Sequence, residues 1–164
     1  MDKALLDTSI ILVAFAELER GEKRYEQMKL KDEAVTILKY PKGKNFVPVV
    51  SMSILGELQF LLYQKENLKR KLSKERENMD RVLNSFFDKQ EMIPITIQTI
   101  SLANKILDAD YLLDPLDVLH FASAITGGCN SFIFIDELLN KSQTIKKYAK
   151  EHNVKLIPLN SRKN

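Results

Sequence analysis

The stretch DYLLDPLDVLHFASAITGGCNSFIFIDELLNK, residues 110–141, restricts the fold more than any other part of the chain. It reads as helix, turn, strand, turn, helix. Asp114-Pro115 has the signature of a helix start, with Asp as N-cap and Pro at the first helical position. Leu116 to Ile125 is then apolar almost all round, which predicts a buried helix. Gly127-Gly128 ends it, because glycine accepts the left-handed backbone of a helix C-terminus. Ser131 to Ile135 is a short β-branched and aromatic run, the pattern of a strand buried on both faces of a parallel sheet. Asp136 follows at its carboxyl end. Asp117 and Asp136 therefore stand at the start of a buried helix and the end of a buried strand, where open α/β sheets place their chemistry.

A strand and helix of this kind need a sheet to join, and the rest of the chain supplies one. Ala4–Leu6 reads as a strand ending in Asp7-Thr8-Ser9, with a helix from Ile10 to Glu19. A polar helix is expected from Glu22 to about Leu38, then a basic turn at Pro41–Asn45 and a strand-like run at Phe46–Val49 interrupted by Pro48. Ser51 or Ser53 caps a helix to about Lys65, with Ile54, Leu55, Leu58, Leu61 and Leu62 as its apolar stripe and Glu57 beside it. Residues 67–89 read as a charged helix with one apolar side. Met92–Ile95 is a strand. Thr96 or Gln98 opens a helix to about Leu107, with Ile97, Ile100, Ala103 and Leu107 facing inward. Leu138–Lys150 reads as one amphipathic helix and Val154–Leu159 as the last strand. Strands alternating with helices predict a three-layer α/β/α fold around a central parallel sheet.

The 164 residues suit one domain spanning 1–164, and no linker or repeat divides them. The net charge of +3 permits a polyanionic partner without requiring one. Cys129 is the single cysteine, which excludes an intramolecular disulfide and a cysteine-based zinc site and fits a reducing compartment. No apolar run reaches the roughly 18 residues of a membrane span. The N-terminus opens on a strand pattern, so no signal peptide and a cytoplasmic location are expected.

Four acids stand out: Asp7, Glu57, Asp117 and Asp136. Three lie where strand meets helix, and Glu57 lies on a helix among apolar neighbours. Three of them have a plainer reading. Asp7 suits an N-cap, Glu57 a solvated stripe edge, and Asp117 a capping box at N3. Convergence would have an electrostatic consequence. Two carboxylates about 4 Å apart repel by on the order of 4 kcal/mol at an effective dielectric near 20, so four together demand protons or a cation. An all-oxygen ligand set selects a hard ion, Mg²⁺ or Mn²⁺, which activates water and shields phosphate oxygens. His120 follows Asp117 by one turn; a histidine on a buried helix is more often a core residue bonded to backbone than a ligand.

With these residues in place the chain resembles the PIN domain family, metal-dependent ribonucleases that include the VapC toxins of toxin–antitoxin pairs. LLDTS, SMSILGELQF, DVLHFASAI and FIFIDELL occur in the family's order and place its four acids at Asp7, Glu57, Asp117 and Asp136. The resemblance spans residues 4 to about 158. It implies a PIN-like fold, an acidic site binding Mg²⁺ or Mn²⁺, and hydrolysis of RNA phosphodiesters. Thr8 and Ser9 match the polar pair after the first Asp. Phe134 departs from the family, which often has Thr or Ser two residues before its last Asp. The segment between the first helix and Glu57 also looks long.

A haloacid-dehalogenase-type phosphatase wants Asp-x-Asp, but Ser9 fills the second position; no Gly-rich phosphate loop and no Gly-x-Ser-x-Gly elbow exists. The competing reading from another class is a non-catalytic PIN-like module that binds RNA or protein. Lys42, Lys44, Lys69 and Arg70 are candidate phosphate contacts. Long apolar stripes on helices 51–65 and 67–89, with Phe60, Leu61, Phe86 and Phe87 near their ends, predict a homodimer, the alternative being that the two helices pack on each other and cover both stripes; the family resemblance implies a small antitoxin as a further partner.

Overall fold

In the computed structural model, residues 2–15, 24–39, 46–68, 77, 80, 81, 83, 84 and 92–159 are described. Among them run β1 (Asp2–Leu6), α1 (Thr8–Phe15), α2 (Arg24–Leu38), β2 (Phe46–Ser51), α3 (Met52–Leu68), β3 (Met92–Ile93), α4 (Ile97–Ala109), α5 (Pro115–Thr126), β4 (Ser131–Phe134), α6 (Glu137–Lys141), α7 (Gln143–Glu151) and β5 (Lys155–Pro158). The five strands form one sheet in the order β3-β2-β1-β4-β5, every pair parallel. This is the three-layer α/β/α arrangement that the alternation predicts.

The strand order determines where a site can form. From β1 the chain moves outward through β2 to β3. It then crosses back through α4 and α5 to lay β4 on the other side of β1. The reversal opens a crevice at the carboxyl ends of β1 and β4, the usual position of a ligand site in such sheets. The registers Ala4↔Ser131, Leu5↔Phe132 and Leu6↔Ile133 bring the ends of the two strands level. Ala4, Leu5 and Leu6 are buried, as is all of β4, because parallel strands are covered on both faces. Phe121 packs at a tilt on Phe132, with ring centroids 5.7 Å apart, and Phe132 stacks on Phe134 at 5.3 Å.

Local signals explain the ends of α5. Asp114 accepts from the amides of Leu116 and Asp117, at 2.8 and 3.5 Å, and Pro115 takes the first helical position. At the other end the Cys129 amide reaches the Ala124 carbonyl and the Gly128 amide the Ile125 carbonyl, which is a Schellman closure. Gly128 carries the positive φ, 67°, that this closure needs. Gly127 is there for a different reason. A Cβ on it would meet the Ile93 side chain at 2.6 and 2.7 Å and the Ser123 carbonyl at 2.8 Å, so only glycine lets α5 lie this close to β3.

Pro48 does not break β2. It pairs in register with Ala4, while β3 pairs only with Val50 and Ser51. Among the described residues no strand lies beside Pro48 on that side, the situation in which proline is tolerated.

Three expectations need correction. The α4 face is rotated: Ile97 is 83% exposed and Ile100 49%, and the buried residues are Thr99, Ala103 and Ile106. Thr96 caps the helix in a reciprocal box with Thr99, and Thr99 also bonds Thr126 of α5 at 2.7 Å. That polar tie turns the Thr99 face inward. Leu138–Lys150 is two helices rather than one. Ser142 closes α6 and caps α7 by accepting from the Ile145 amide, and its hydroxyl donates to Asp110 at 2.7 Å. The third strand ends at Ile93 instead of Ile95. Lys42, Lys44, Lys69 and Arg70 lie outside the described residues, as do Phe86, Phe87 and most of 67–89.

Candidate functional site

Asp7 is the first residue beyond β1, and its amide donates to the Ile133 carbonyl of β4 at 2.9 Å. This bond seats it at the mouth of the crevice between the two strands. Its carboxylate caps α1 by accepting from the Ser9 amide at 3.1 Å, and Oδ2 also accepts from the Ser9 hydroxyl. The N-cap reading of Asp7 thus holds, but it uses only Oδ2. Oδ1 lies 2.9 Å from Nδ1 of His120 on α5. Burial pushes the Asp7 carboxyl up. The bond and charge of His120, with the two bonds from Ser9, outweigh burial and hold it below the ordinary carboxylate value.

Glu57 projects from α3 toward the same point. The Thr8 hydroxyl donates to its Oε2 at 2.5 Å, and Nε2 of His120 lies 3.4 Å from that oxygen. That separation is within ion-pair reach, but the geometry is not that of a hydrogen bond, and Nε2 has no hydrogen-bond partner among the described residues. The Glu57 side chain is 19% exposed, so it is not the solvated stripe edge that helical spacing alone allows. Thr8 and Ser9 each hold one acid: Thr8 holds Glu57 and Ser9 holds Asp7.

Asp117 sits in the first turn of α5, where Asp114 already does the capping. One oxygen each of Asp7 and Asp117 and one nitrogen of His120 lie within 4.8 Å of one another. The Asp117 carboxyl is pushed up to about 7, first by burial, then by the charges of Asp7, Asp114 and Asp136, against a smaller pull from His120. Asp136 therefore belongs to the same electrostatic neighbourhood. Its Oδ1 accepts from the Leu139 amide at 2.8 Å, making it the N-cap of α6. Phe134 is fully buried in the aromatic stack, so the residue two before Asp136 faces the core. The support for Asp136 comes from the helix it caps.

His120 is the residue that the sequence undervalues. It is fully buried, as a core histidine would be, but its partner is the Asp7 carboxylate rather than backbone. The available signal was its spacing of one turn from Asp117, which puts both on one side of α5.

The donor set fits a divalent cation. Carboxylate oxygens with one imidazole nitrogen suit a hard to borderline ion. Burial and the charges of Asp7, Asp114 and Asp136 raise the Asp117 carboxyl to about 7, and a cation beside it would offset those charges. A thiolate nucleophile does not fit, since Cys129 is buried and burial raises its thiol to about 11.

No family model matches the chain, and no curated protein matches it. Solved structures do. VapBC2 from Rickettsia felis, in a crystal structure bound to a DNA fragment from their promoter, has a TM-score of 0.52 and 18% identity, covering 96% of this chain and 99% of that one. FitAcB from Neisseria gonorrhoeae has a TM-score of 0.54 and 14% identity, covering 96% and 97%. FitAB bound to the IR36 DNA fragment has a TM-score of 0.53 and 13% identity, covering 94% of each chain. These matches run over nearly whole chains and concern the fold: this chain shares the three-layer α/β/α architecture of these solved structures.

Proposed function

We propose that this chain is a single-domain, divalent-cation-dependent ribonuclease that hydrolyses RNA phosphodiester bonds. The observation that carries the reading is the gathering of Asp7, Asp117 and His120 at the switch point of the sheet, with Glu57 tied in through Thr8. Asp7, Glu57, Asp117 and Asp136 would hold Mg²⁺ or Mn²⁺. Such an ion lowers the pKa of water and neutralises charge on a phosphoryl group. The protein's own part is positional. Ser9 and His120 fix both oxygens of Asp7, Thr8 fixes Glu57, and the α6 cap fixes Asp136.

The toxin of a toxin–antitoxin pair is the biological form this reading takes, with a small antitoxin protein as partner and the cytoplasm as location. The similar structures VapBC2 and FitAB, each bound to DNA, support a partnered protein. No helix among the described residues is long and apolar enough to cross a membrane. A homodimer belongs to the same reading. Phe60 on α3 is 58% exposed, a large apolar side chain left for a second subunit to cover. Lys42, Lys44, Lys69 and Arg70 are proposed as phosphate contacts, which a salt slope of about −0.7 per neutralised phosphate on single-stranded RNA would report.

A non-catalytic module that binds RNA or protein is the second reading, favoured by Phe134, which removes a polar side chain from beside Asp136. RNA cleavage measured with Mg²⁺, Mn²⁺ or EDTA separates the two. The wild type should cleave only with a cation, and Asp7→Asn and Asp117→Asn, both folded by circular dichroism, should not cleave. Cation-independent cleavage, or full activity in both variants, refutes the nuclease reading.

A further inference from the structure

His120 carries a property that positioning Asp7 does not use. Its side chain is fully buried, and Nε2 has no hydrogen-bond partner among the described residues. Nδ1 faces Oδ1 of Asp7 at 2.9 Å. An ionised carboxylate only accepts, so Nδ1 supplies the proton of that bond. With Nδ1 as the donor, a ring carrying a single proton has its lone pair at Nε2, the atom that lies 3.4 Å from Oε2 of Glu57. This oxygen is also an acceptor, already taking the Thr8 hydroxyl. In that tautomer two acceptors face each other, and a cation would satisfy both.

The spacing agrees. Two ligand atoms about 2.1 Å from a common ion lie roughly 3.0 Å apart at a right angle and roughly 3.4 Å apart at a tetrahedral angle. The other side of the ring agrees as well. A metal-ligating histidine almost always gives its second ring N–H to a carboxylate or carbonyl, which fixes tautomer and ring orientation. Asp7 stands in that place, and Oδ1 and Oδ2 of Asp7 are themselves held by His120 and Ser9.

We propose that Nε2 of His120 and Glu57 directly ligate a cation in this site, with Asp7 orienting the ring from its far side and not ligating that ion, so that this position prefers Mn²⁺ to Mg²⁺. The inference rests on the reading of the acidic cluster as a divalent-cation site. The preference follows from the donor: imidazole nitrogen suits borderline transition ions, whereas Mg²⁺ is held by oxygen and water. The rival role is a proton on Nε2, which would make the ring a bridge between Asp7 and Glu57 and His120 a positioning residue.

The test uses untagged full-length protein and Mn²⁺ as the probe. Binding is followed by loss of the free-ion electron paramagnetic resonance signal, and the bound ion is then examined by electron spin-echo envelope modulation. The expected result is nitrogen modulation from a coordinated imidazole, with Mg²⁺ displacing Mn²⁺ only in large excess. His120→Asn should weaken Mn²⁺ binding roughly tenfold or more and Mg²⁺ binding less. Bound Mn²⁺ without nitrogen modulation overturns the proposal, as does an unchanged Mn²⁺-to-Mg²⁺ ratio in His120→Asn, and both leave the cation site standing. No binding of either ion removes the cation site itself. If His120→Asn does not fold, the wild-type spectrum decides alone.

Discussion

Asp117→Asn should make the cation-free protein more stable at pH 8, although it removes a charged group from the centre of the site. The Asp117 carboxyl moves from 3.8 to about 7 on folding, through burial and the charges of Asp7, Asp114 and Asp136. Below pH 3.8 it is protonated in both states and contributes nothing. As pH rises from 3.8 to about 7, the unfolded chain releases the proton and the folded one keeps it, so stability falls. Above about 7 the penalty is complete. At 1.36 kcal/mol per pH unit the upper limit is ~4 kcal/mol. Asp117 is only partly buried, and solvent screening reduces this to ~1–2 kcal/mol. Asparagine also gives up a negative charge at the start of α5, at a cost of ~0.3–1 kcal/mol. A net gain of ~1 kcal/mol raises Tm by roughly 2–4 °C in a chain of this size.

Calorimetry in EDTA across pH 4 to 8 is the assay. The advantage of the variant should be near zero at pH 4, grow with pH and level off above about 7. Saturating Mn²⁺ should reverse the order, since 100 times Kd adds ~2.7 kcal/mol to a protein that binds and nothing to one that does not. A variant less stable than wild type at pH 8 in EDTA would show that helix capping, not carboxylate repulsion, governs Asp117. An advantage constant across pH refutes the electrostatic account as well.

Gly127→Ala should cost ~1–3 kcal/mol, because its Cβ meets Ile93 and the Ser123 carbonyl. Gly127→Ala combined with Ile93→Ala should recover part of this relative to Ile93→Ala alone, and urea denaturation that shows no such coupling counts against the steric reason. Ser142→Ala should lose ~1 kcal/mol, since it uncaps α7 and breaks the bond to Asp110; an unchanged urea midpoint contradicts this. Phe132→Ala removes the middle ring of the stack and should destabilise by ~3–5 kcal/mol, visible as a large drop in Tm without change in the pH dependence of unfolding.

What could be read from the chain was local. Asp114-Pro115 sets the start of α5 and Gly127-Gly128 its end because caps and closures depend on residues within one turn. The buried strand Ser131–Phe134 follows from four consecutive residues, and the parallel sheet from the alternation of such strands with helices. The acids at Asp7 and Asp136 could be placed at strand ends for the same reason. Tertiary structure decided what depends on residues distant in sequence. The inward face of α4 could not be found from its own apolar pattern, because Thr99 is turned by Thr126 on another helix. One amphipathic run became α6 and α7 because Ser142 is bonded to Asp110, 32 positions away. Glu57 left the solvent because Thr8, 49 positions away, donates to it. His120 became the partner of Asp7 across 113 positions. Each of these is a polar bond between groups that only the packed sheet brings within 3 Å. Apolar periodicity reports which side of an element avoids water, and carries no information about which distant donor meets which acceptor.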